Sequence, residues 1–316
     1  MLVPPVAALN QLLFVESPAD DHSLIHVFSH DEKAKRLVTV GRPLRLKGRI
    51  ATPLSVSSGR VAAITDLAQV EVYEIDASSP DRIRRLAGLE ASESSPLLTF
   101  CALDRKNQLW VSSRRRSLYE VQAALSQLTP RWTENQDDEF VSPLQVIGDS
   151  TIQVRRRATF PAALVEAVVA KSAEPIWTTQ LAFPIVALAA TEPNAAVQVL
   201  AQSGNLFSLD DGDFRARQKD KPTFPASGKS TPIFAAATRS ADGQWLAWTE
   251  FGAASRVLVH DMKAGQPPTA LSLPGRAAAP AVIVGNGVVV PMVDGSVTFV
   301  SPTASDPKTA PFMPPV

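Results

Sequence analysis

The sequence has very little cysteine and no excess of either charge. Cys101 is the single cysteine among 316 residues, which excludes an intrachain disulfide and a cysteine-rich metal site. It lies in the apolar run PLLTFCAL and is predicted to be a small buried residue. Lys plus Arg and Asp plus Glu each number 31. This balance disfavours nucleic acid as a partner, because polyanion-binding domains usually carry a basic excess.

Long apolar runs are also missing. No segment reaches the roughly 18 apolar residues of a membrane span. The N-terminal segment MLVPPVAALNQLLFV has no basic leader, and Pro4 and Pro5 interrupt it where a signal helix would form. We therefore expect no signal peptide, and a cytoplasmic location by default. Hydrophobic residues at 45% and charged residues at 20% are typical of a globular protein.

A repeat is present throughout the chain. In seven segments a proline follows a small or apolar residue and opens an apolar or alternating run. These prolines are Pro5, Pro53, Pro96, Pro143, Pro184, Pro232 and Pro280. The intervals between them are 48, 43, 47, 41, 48 and 48 residues. A period of about 40 to 50 residues indicates a four-stranded propeller blade, and proline is tolerated at the first residue of a strand.

The second repeat shows the internal pattern most clearly. PLSVSS is followed by the turn residue Gly59, then RVAAITD, then VEVYEID, then a turn at Pro80–Asp81, then RIRRLAGL. These runs are too short and too β-branched for helices. Two other segments depart from the pattern. AALVEAVVAKSAE in the fourth repeat has the composition of a short helix, and RARQKDKPTFPASGKS in the fifth is predicted to be a surface loop.

The sequence thus predicts an all-β fold, a seven-bladed β-propeller of four-stranded antiparallel blades forming a single domain over 1–316. Stacking blades radially would bury both faces of each small sheet. The predicted blades are 1–48, 49–91, 92–138, 139–179, 180–227, 228–275 and 276–316. Because the first repeat is the weakest, blade counts from six to eight stay open.

The repeat resembles the PQQ-like propeller repeat, a quinoprotein-type and WD-repeat-like family. Its blades open with a small residue and proline, turn at glycine, place D-G or S-G before the third strand, and often close with tryptophan. The matching residues are Ala279–Pro280, Gly287 and Asp294–Gly295 in the seventh repeat, Ser203–Gly204 in the fifth, and the tryptophans Trp132 and Trp177. The resemblance implies a propeller scaffold.

The same resemblance implies a non-catalytic member without a cofactor. The quinoprotein dehydrogenases hold PQQ over calcium and carry adjacent cysteines, whereas this chain has one cysteine. The typical enzymes of this fold keep the closing tryptophan in most repeats, whereas two of the seven repeats keep it here. The lipoprotein members used in outer-membrane assembly need a lipidation cysteine near the start, which is also missing.

Residues capable of catalysis or metal binding do not form a motif. His22, His26 and His30 occur in HSLIHVFSH, which reads as a strand, so neighbouring histidines would lie about 13 Å apart and could not share one ion. Asp210, Asp211 and Asp213 lack the spacing of a calcium loop and predict a polar turn. No G-x-S-x-G nucleophile motif occurs. We therefore predict no catalytic, cofactor-binding or metal-binding residues.

Two arginine runs are the candidate binding residues. They are Arg114, Arg115 and Arg116, and Arg155, Arg156 and Arg157. Each run falls near the turn between the second and third strands of its repeat, so both would lie on one rim of adjacent blades and favour an acidic partner surface. The alternative is that they are ordinary solvated turns paired with the acidic stretch Glu134, Asp137, Asp138 and Glu139.

These observations favour a non-enzymatic scaffold that mediates protein–protein interaction, as a module of a larger bacterial protein or assembly. Propeller rims are rigid platforms on which loops vary at little cost to folding. The alternative is a PQQ-like or carbohydrate-active enzyme that binds its ligand in the central funnel. That enzyme would need carboxylates or histidines from several blades. The sequence favours a protein partner and leaves the oligomeric state open.

Overall fold

The computed structural model describes most of the chain. It covers residues 3–301 except 4, 32, 34–35, 77, 92–97, 105–106, 135–138, 157–161, 182–183, 191–195, 227–232, 241–242, 252–254 and 285–286. The predicted repeat residues Pro96 and Pro232, and the predicted site or acidic residues Arg157, Asp137 and Asp138, lie outside the described residues. In the described part no helix is long and apolar enough to cross a membrane.

The chain divides into two compact units, Met1–Thr159 with Val168–Pro175, and Phe160–Ala167 with Ile176–Val316. The prediction of a single domain over 1–316 is not tested by this division and stays a prediction. Across the described residues the strands fall into seven consecutive groups, numbered one to seven from the N-terminus. The boundary between the units falls within the fourth group.

The first unit contains groups one to three and the start of group four. Group one is β1 (Val6–Ala8), β2 (Gln11–Glu16), β3 (His22–Asp31), β4 (Arg36–Thr39) and β5 (Leu44–Lys47). Group two is β6 (Ser55–Ser57), β7 (Arg60–Ile64), β8 (Val70–Ile75) and β9 (Ile83–Leu89). Group three is β10 (Phe100–Leu103), β11 (Gln108–Ser112), β12 (Arg116–Gln122) and β13 (Gln127–Thr133), with a 3-10 turn at Ala123–Leu125. Group four opens with β14 (Glu139–Phe140), β15 (Gln145–Ile147) and β16 (Ser150–Arg156).

The remaining strands lie chiefly in the second unit. Group four continues with β17 (Ala163–Val169) and β18 (Pro175–Leu181). Group five is β19 (Ile185–Ala189), β20 (Val197–Ala201) and β21 (Leu206–Leu209), followed by helix α1 (Asp211–Ala216). Group six is β22 (Ile233–Arg239), β23 (Trp245–Phe251), β24 (Arg256–Asp261) and β25 (Thr269–Ser272). Group seven is β26 (Val282–Val284), β27 (Gly287–Pro291) and β28 (Val297–Val300).

In groups two, three, five, six and seven, consecutive strands pair antiparallel as a meander, as a propeller blade requires. In group one β1 to β4 do the same, and β5 pairs with β3. Groups two and three are further joined by one parallel pairing, Gln127 with Gly88. The predicted strand pattern of the second repeat is confirmed. Ser57 pairs with Arg60 across the two-residue turn Ser58–Gly59, in which both φ angles are positive. This is the hairpin turn that places glycine at its second position.

The repeated proline precedes the first strand of a group, as predicted. Pro53 lies two residues before β6, Pro184 directly before β19, and Pro280 two residues before β26. Pro143 separates β14 from β15, both of which pair with β16. The rigid ring and missing N–H of proline thus mark the entry to a strand at the edge of its group, where a ladder hydrogen bond is not needed.

Two local predictions were wrong. The segment AALVEAVVAKSAE, which has the composition of a helix, contains the strand β17, whose residues 163–168 are all buried. Burial of both faces outweighs the helix propensity of alanine and glutamate. Asp210, Asp211 and Asp213, predicted as a polar turn, begin helix α1. The Asp210 side chain accepts hydrogen bonds from the backbone N–H groups of Gly212 and Asp213, which completes a capping box.

Cys101 is buried in β10, as predicted, and its surroundings suppress its reactivity. It packs with Leu109, Val111 and Ala62 between groups two and three, and this burial raises the pKa of the thiol to about 12. The thiolate is the reactive species. We therefore expect alkylation of Cys101 at pH 8 to be at least about 100-fold slower in the native protein than in urea.

Mass spectrometry of the iodoacetamide-treated protein would measure this rate, and the urea-unfolded chain supplies the matched control because it contains the same single thiol. Equal rates in the two states would show that Cys101 is accessible in the folded protein.

Candidate interaction site

The first arginine run lies at the tip of the hairpin between β11 and β12. Ser112, the last residue of β11, pairs with Arg116, the first residue of β12. The turn between them is closed by the Ser113 N–H, which donates to the Arg115 carbonyl at 3.1 Å. Arg114 and Arg115 are exposed. Their backbone is therefore held by a paired hairpin while their side chains face solvent.

These two arginines border a cleft of about 400 Å³ in the first unit. Group three supplies one wall with Val111, Ser117, Tyr119 and Thr133, and group two supplies the other with Ala68, Val70 and Leu89; Ser113, Arg114 and Arg115 complete the lining. The walls are built by strand pairing, because Ser117 pairs with both Val111 and Thr133. Val70 pairs with Leu89 within the other wall.

The cleft lies over the apolar core that groups two and three share. Val70, Val111 and Cys101 belong to one buried cluster, and the half-buried Leu89 and Tyr119 pack against it. The floor of the cleft is therefore part of the tightly packed interior, and the cleft needs no rearrangement of loops to exist. Sites that bind ligands are commonly preformed and mainly apolar, with a few polar groups at defined positions.

Arg116 has the opposite orientation to the two arginines before it. Its side chain is 2% exposed, and its guanidinium carbon lies 5.9 Å from the ring centroids of Trp110, Trp132 and Phe140. Arginine favours the faces of aromatic rings because the cation is attracted to the ring quadrupole. Arg116 is thus the centre of an aromatic cluster inside the first unit.

Glu134 balances the charge of this cluster. Its Oε1 lies 2.8 Å from Arg155 Nη1 and 3.9 Å from Arg116 Nη2. The Arg155 side chain is also buried. Arg156 is exposed and lies 2.6 Å from Glu139. The pairing of the second run with the acidic stretch, which the sequence left as an alternative, is therefore present for Arg155 and Arg156.

The six candidate arginines thus have different surroundings. Arg114 and Arg115 are exposed beside the cleft, Arg156 is exposed and ion-paired, Arg116 and Arg155 are buried, and Arg157 lies outside the described residues. Their role in partner binding stays a prediction. Sequence reasoning missed Tyr119, Ser117 and Thr133, which line the cleft. The alternation of side chains along β12 and β13 could have predicted that these residues share one face of the sheet. It could not have predicted that they lie opposite Val70 of another repeat.

The histidines lie on a strand, as predicted. His22 Nδ1 lies 2.6 Å from Asp21 Oδ1, and His26 Nε2 lies 2.7 Å from Glu16 Oε2. Both side chains are thus paired locally on β3 and its neighbours. Within the ranges that the structure describes, no three His, Cys, Asp or Glu side chains form a group that could hold a metal ion.

Comparison with known proteins supports the fold alone. No protein-family model matches the sequence, and no curated protein matches it. The crystal structure of Sqt1 from Saccharomyces cerevisiae is similar, with a TM-score of 0.65 and 11% identity over 95% of this chain and 82% of Sqt1. The Dos1 propeller is similar with a TM-score of 0.63 and 14% identity, over 92% of this chain and 75% of Dos1. The PQQ-like family assignment stays a prediction, whereas the fold is shown: an all-β, seven-bladed β-propeller of antiparallel blades.

Proposed function

We propose that this chain is a non-enzymatic β-propeller scaffold that binds a partner protein, and that Arg114 and Arg115 contact an acidic surface of that partner. The observation that carries the proposal is the exposure of two consecutive arginines beside a preformed cleft. Binding residues are often placed on loops that a rigid scaffold holds in position, and this hairpin is such a loop.

The packing beneath the hairpin supports a recognition role. Arg116 follows Arg115 directly and is enclosed by Trp110, Trp132 and Phe140. One end of the turn is thereby fixed in the interior. Because little backbone freedom is lost when such a turn meets a partner, binding costs less conformational entropy than with a mobile loop.

The charge distribution supports an acidic partner. Arg116 and Arg155 have Glu134 as a shared neighbour, and Arg156 has Glu139. Acidic residues of the same chain thus lie beside Arg116, Arg155 and Arg156, and Arg114 and Arg115 are exposed at the tip of the hairpin. Guanidinium groups bind carboxylates through paired charge-assisted hydrogen bonds. The net charge of the chain is zero. The partner would therefore be selected by the local positions of Arg114 and Arg115 rather than by a positive charge of the whole protein.

The test is affinity capture from lysate of the source cell with the wild-type chain and the variant Arg114→Glu/Arg115→Glu. We expect a specific partner to be recovered by the wild type, weakened by raised salt, and reduced at least about tenfold in the variant, as for interface residues that contribute strongly to binding. Quantitative mass spectrometry would measure the recovery.

The matched control is Arg42→Glu/Arg45→Glu. It reverses two exposed arginine charges in the same unit and outside the cleft lining. Loss of the partner in this control as well would indicate a response to net charge alone. Equal recovery of every partner by the wild type and by the Arg114→Glu/Arg115→Glu variant would exclude these arginines from the interface.

A further inference from the structure

Residues 219–226 form a strap that takes the place of a fourth strand in group five. Phe224 and Leu206 of β21 exchange two backbone hydrogen bonds, of 2.9 and 3.0 Å. The Thr223 hydroxyl accepts a further bond from the Ser208 N–H at 2.9 Å. In group six, by contrast, β25 forms four residue pairs with β24. In the described part of the chain the strap is thus held to β21 by one backbone bridge and by side-chain hydrogen bonds, and segments with so few backbone bonds open at low free energy.

The side chain of Phe224 anchors the strap between groups five and six. It packs against the apolar cluster to which group five contributes Leu206 and group six contributes Leu246. Its ring also lies against the imidazole of His260 on β24, with 5.4 Å between the ring centroids. His260 stands opposite Leu246 in the ladder between β23 and β24. The apolar anchor of the strap is therefore in contact with a titratable side chain.

His260 is enclosed by these apolar neighbours. The residue is 2% exposed, and its Nδ1 is buried without a hydrogen-bond partner among the described residues. A positive charge on this ring would be shielded from water, and charges in such surroundings are costly. Burial accordingly lowers the pKa of His260, while proximity to the backbone of Gln266 and the charge of Asp261 act in the opposite direction and offset it only in part. The enclosed site thus favours the neutral imidazole.

Among the described residues, Asp261 is the charged neighbour that acts on the ring of His260. The elements packed against the ring contribute Leu246 from β23 and Phe224 from the strap, neither of which titrates. The other charged residues of the strap and of the turn after β24 are Lys219, which pairs with Asp213 at 2.6 Å, and the exposed Asp220, Lys221 and Lys263. The contact between Phe224 and the ring therefore depends on the protonation of His260.

We propose that the strap is a pH-sensitive element, closed while His260 is neutral and released from β21 when His260 is protonated. In the closed state Phe224 covers a neutral imidazole. A proton on the ring would place a buried charge beneath Phe224, and this charge is hydrated if Phe224 moves away and admits water. Release would leave the N–H and C=O of Leu206 unpaired, so the outer edge of β21 would become open to another strand.

The direction of the pH effect follows from the two states of His260. In the open form the ring binds a proton at the ordinary pKa of histidine, about 6.5, whereas the closed form binds it only at a lower pH. The closed form is therefore fully favoured above this ordinary value and is progressively lost as the pH falls below it. The equilibrium constant for opening should rise at least about threefold between pH 7.5 and pH 5.5, with about tenfold per pH unit as the upper limit.

The test is hydrogen–deuterium exchange of the purified full chain at pH 7.5 and pH 5.5, followed by mass spectrometry. Exchange rates are converted into protection factors, which removes the intrinsic pH dependence of amide exchange. The reporting amides are those of Leu206 and Phe224, which bond to each other across the bridge. We expect their protection to fall at least about threefold at pH 5.5 in the wild type. His260→Gln and His260→Leu cannot take up the proton, so whichever of them folds should keep the same protection at both pH values.

The matched control is His30→Gln, which removes an exposed histidine of group one and should retain the wild-type response. The sequence makes the assignment simple, because His260 is the single histidine after His30.

Three results would overturn the inference. Unchanged protection of Leu206 and Phe224 at pH 5.5 in the wild type would show that acid does not release the strap. An equal response in the wild type and in the His260 variants would assign the acid effect to other groups. An equal loss of protection at Trp248, in the middle of β23, would show that the second unit opens as a whole rather than at the strap.

Discussion

Replacing Arg116 by alanine is expected to lower the free energy of unfolding by about 3–5 kcal/mol, the usual cost of truncating a large, fully buried side chain to alanine. The substitution removes a guanidinium that lies between Trp110, Trp132 and Phe140. It also removes a positive charge near Glu134 and leaves a cavity where the side chain was. These interactions are lost in a region that water cannot enter freely, so hydration would offset little of the lost stability.

Arg116→Lys should have an intermediate effect. Lysine keeps the positive charge but lacks the planar guanidinium that lies against aromatic rings. Urea unfolding followed by tryptophan fluorescence would measure the free energy of unfolding of both variants, since Trp110 and Trp132 lie in the cluster around Arg116.

The control for this experiment is Arg114→Ala, two residues earlier. Because Arg114 is exposed, its removal should change the free energy of unfolding by no more than about 0.5 kcal/mol. Similar unfolding midpoints for Arg116→Ala and Arg114→Ala would contradict the buried position of Arg116. The two variants also separate an effect on stability from an effect on binding, since we expect Arg114 to contribute to partner binding and Arg116 to the stability of the fold.

Trp248→Ala is expected to destabilise the second unit by about 3–5 kcal/mol, as large-to-small changes at buried tryptophans do. Trp248 lies in the middle of β23, is 1% exposed, and pairs with Leu258 on one side and Ala237 on the other. It packs with Leu200, Leu206 and Leu246 in the apolar core of this unit. The cavity left by the indole lies between paired strands, which cannot close around it without breaking ladder hydrogen bonds.

Far-UV circular dichroism in a urea gradient would measure this loss. The control is Ile176→Ala in the same unit, since Ile176 is 48% exposed and its truncation should cost no more than about 0.5 kcal/mol. If Trp248→Ala were as stable as this control, Trp248 would not be part of the buried core of the second unit.

The repeat and its strands could be predicted because they depend on local chemistry. Proline before an edge strand, a two-residue turn ending in Gly59, and short β-branched runs each act within a few residues. The same reasoning failed at β17 and α1. Alanine and glutamate favour a helix when one face is exposed, but residues 163–168 are buried on both faces. The capping box at Asp210 begins a helix in a segment whose composition indicates a turn.

The candidate site shows the limit of sequence reasoning most clearly. Arg114, Arg115 and Arg116 are chemically identical and consecutive, and the sequence placed all three on one rim. In the structure the first two occupy the turn, while the third begins β12 and points among aromatic rings from three other strands. Strand alternation reverses the side chain from one residue to the next, and the receiving ring cluster exists only after β11, β13 and β14 have come together.

By itself, the sequence determined the all-β class, the period of the repeat and the position of most strands, because these follow from turn residues and from alternation along the chain. Tertiary structure decided which arginines are exposed, which ones share Glu134, and that Val70 and Leu89 of one group face Tyr119 and Thr133 of the next across a cleft. These outcomes depend on contacts between residues tens of positions apart, and only the packing of neighbouring strand groups brings such residues within reach of one another.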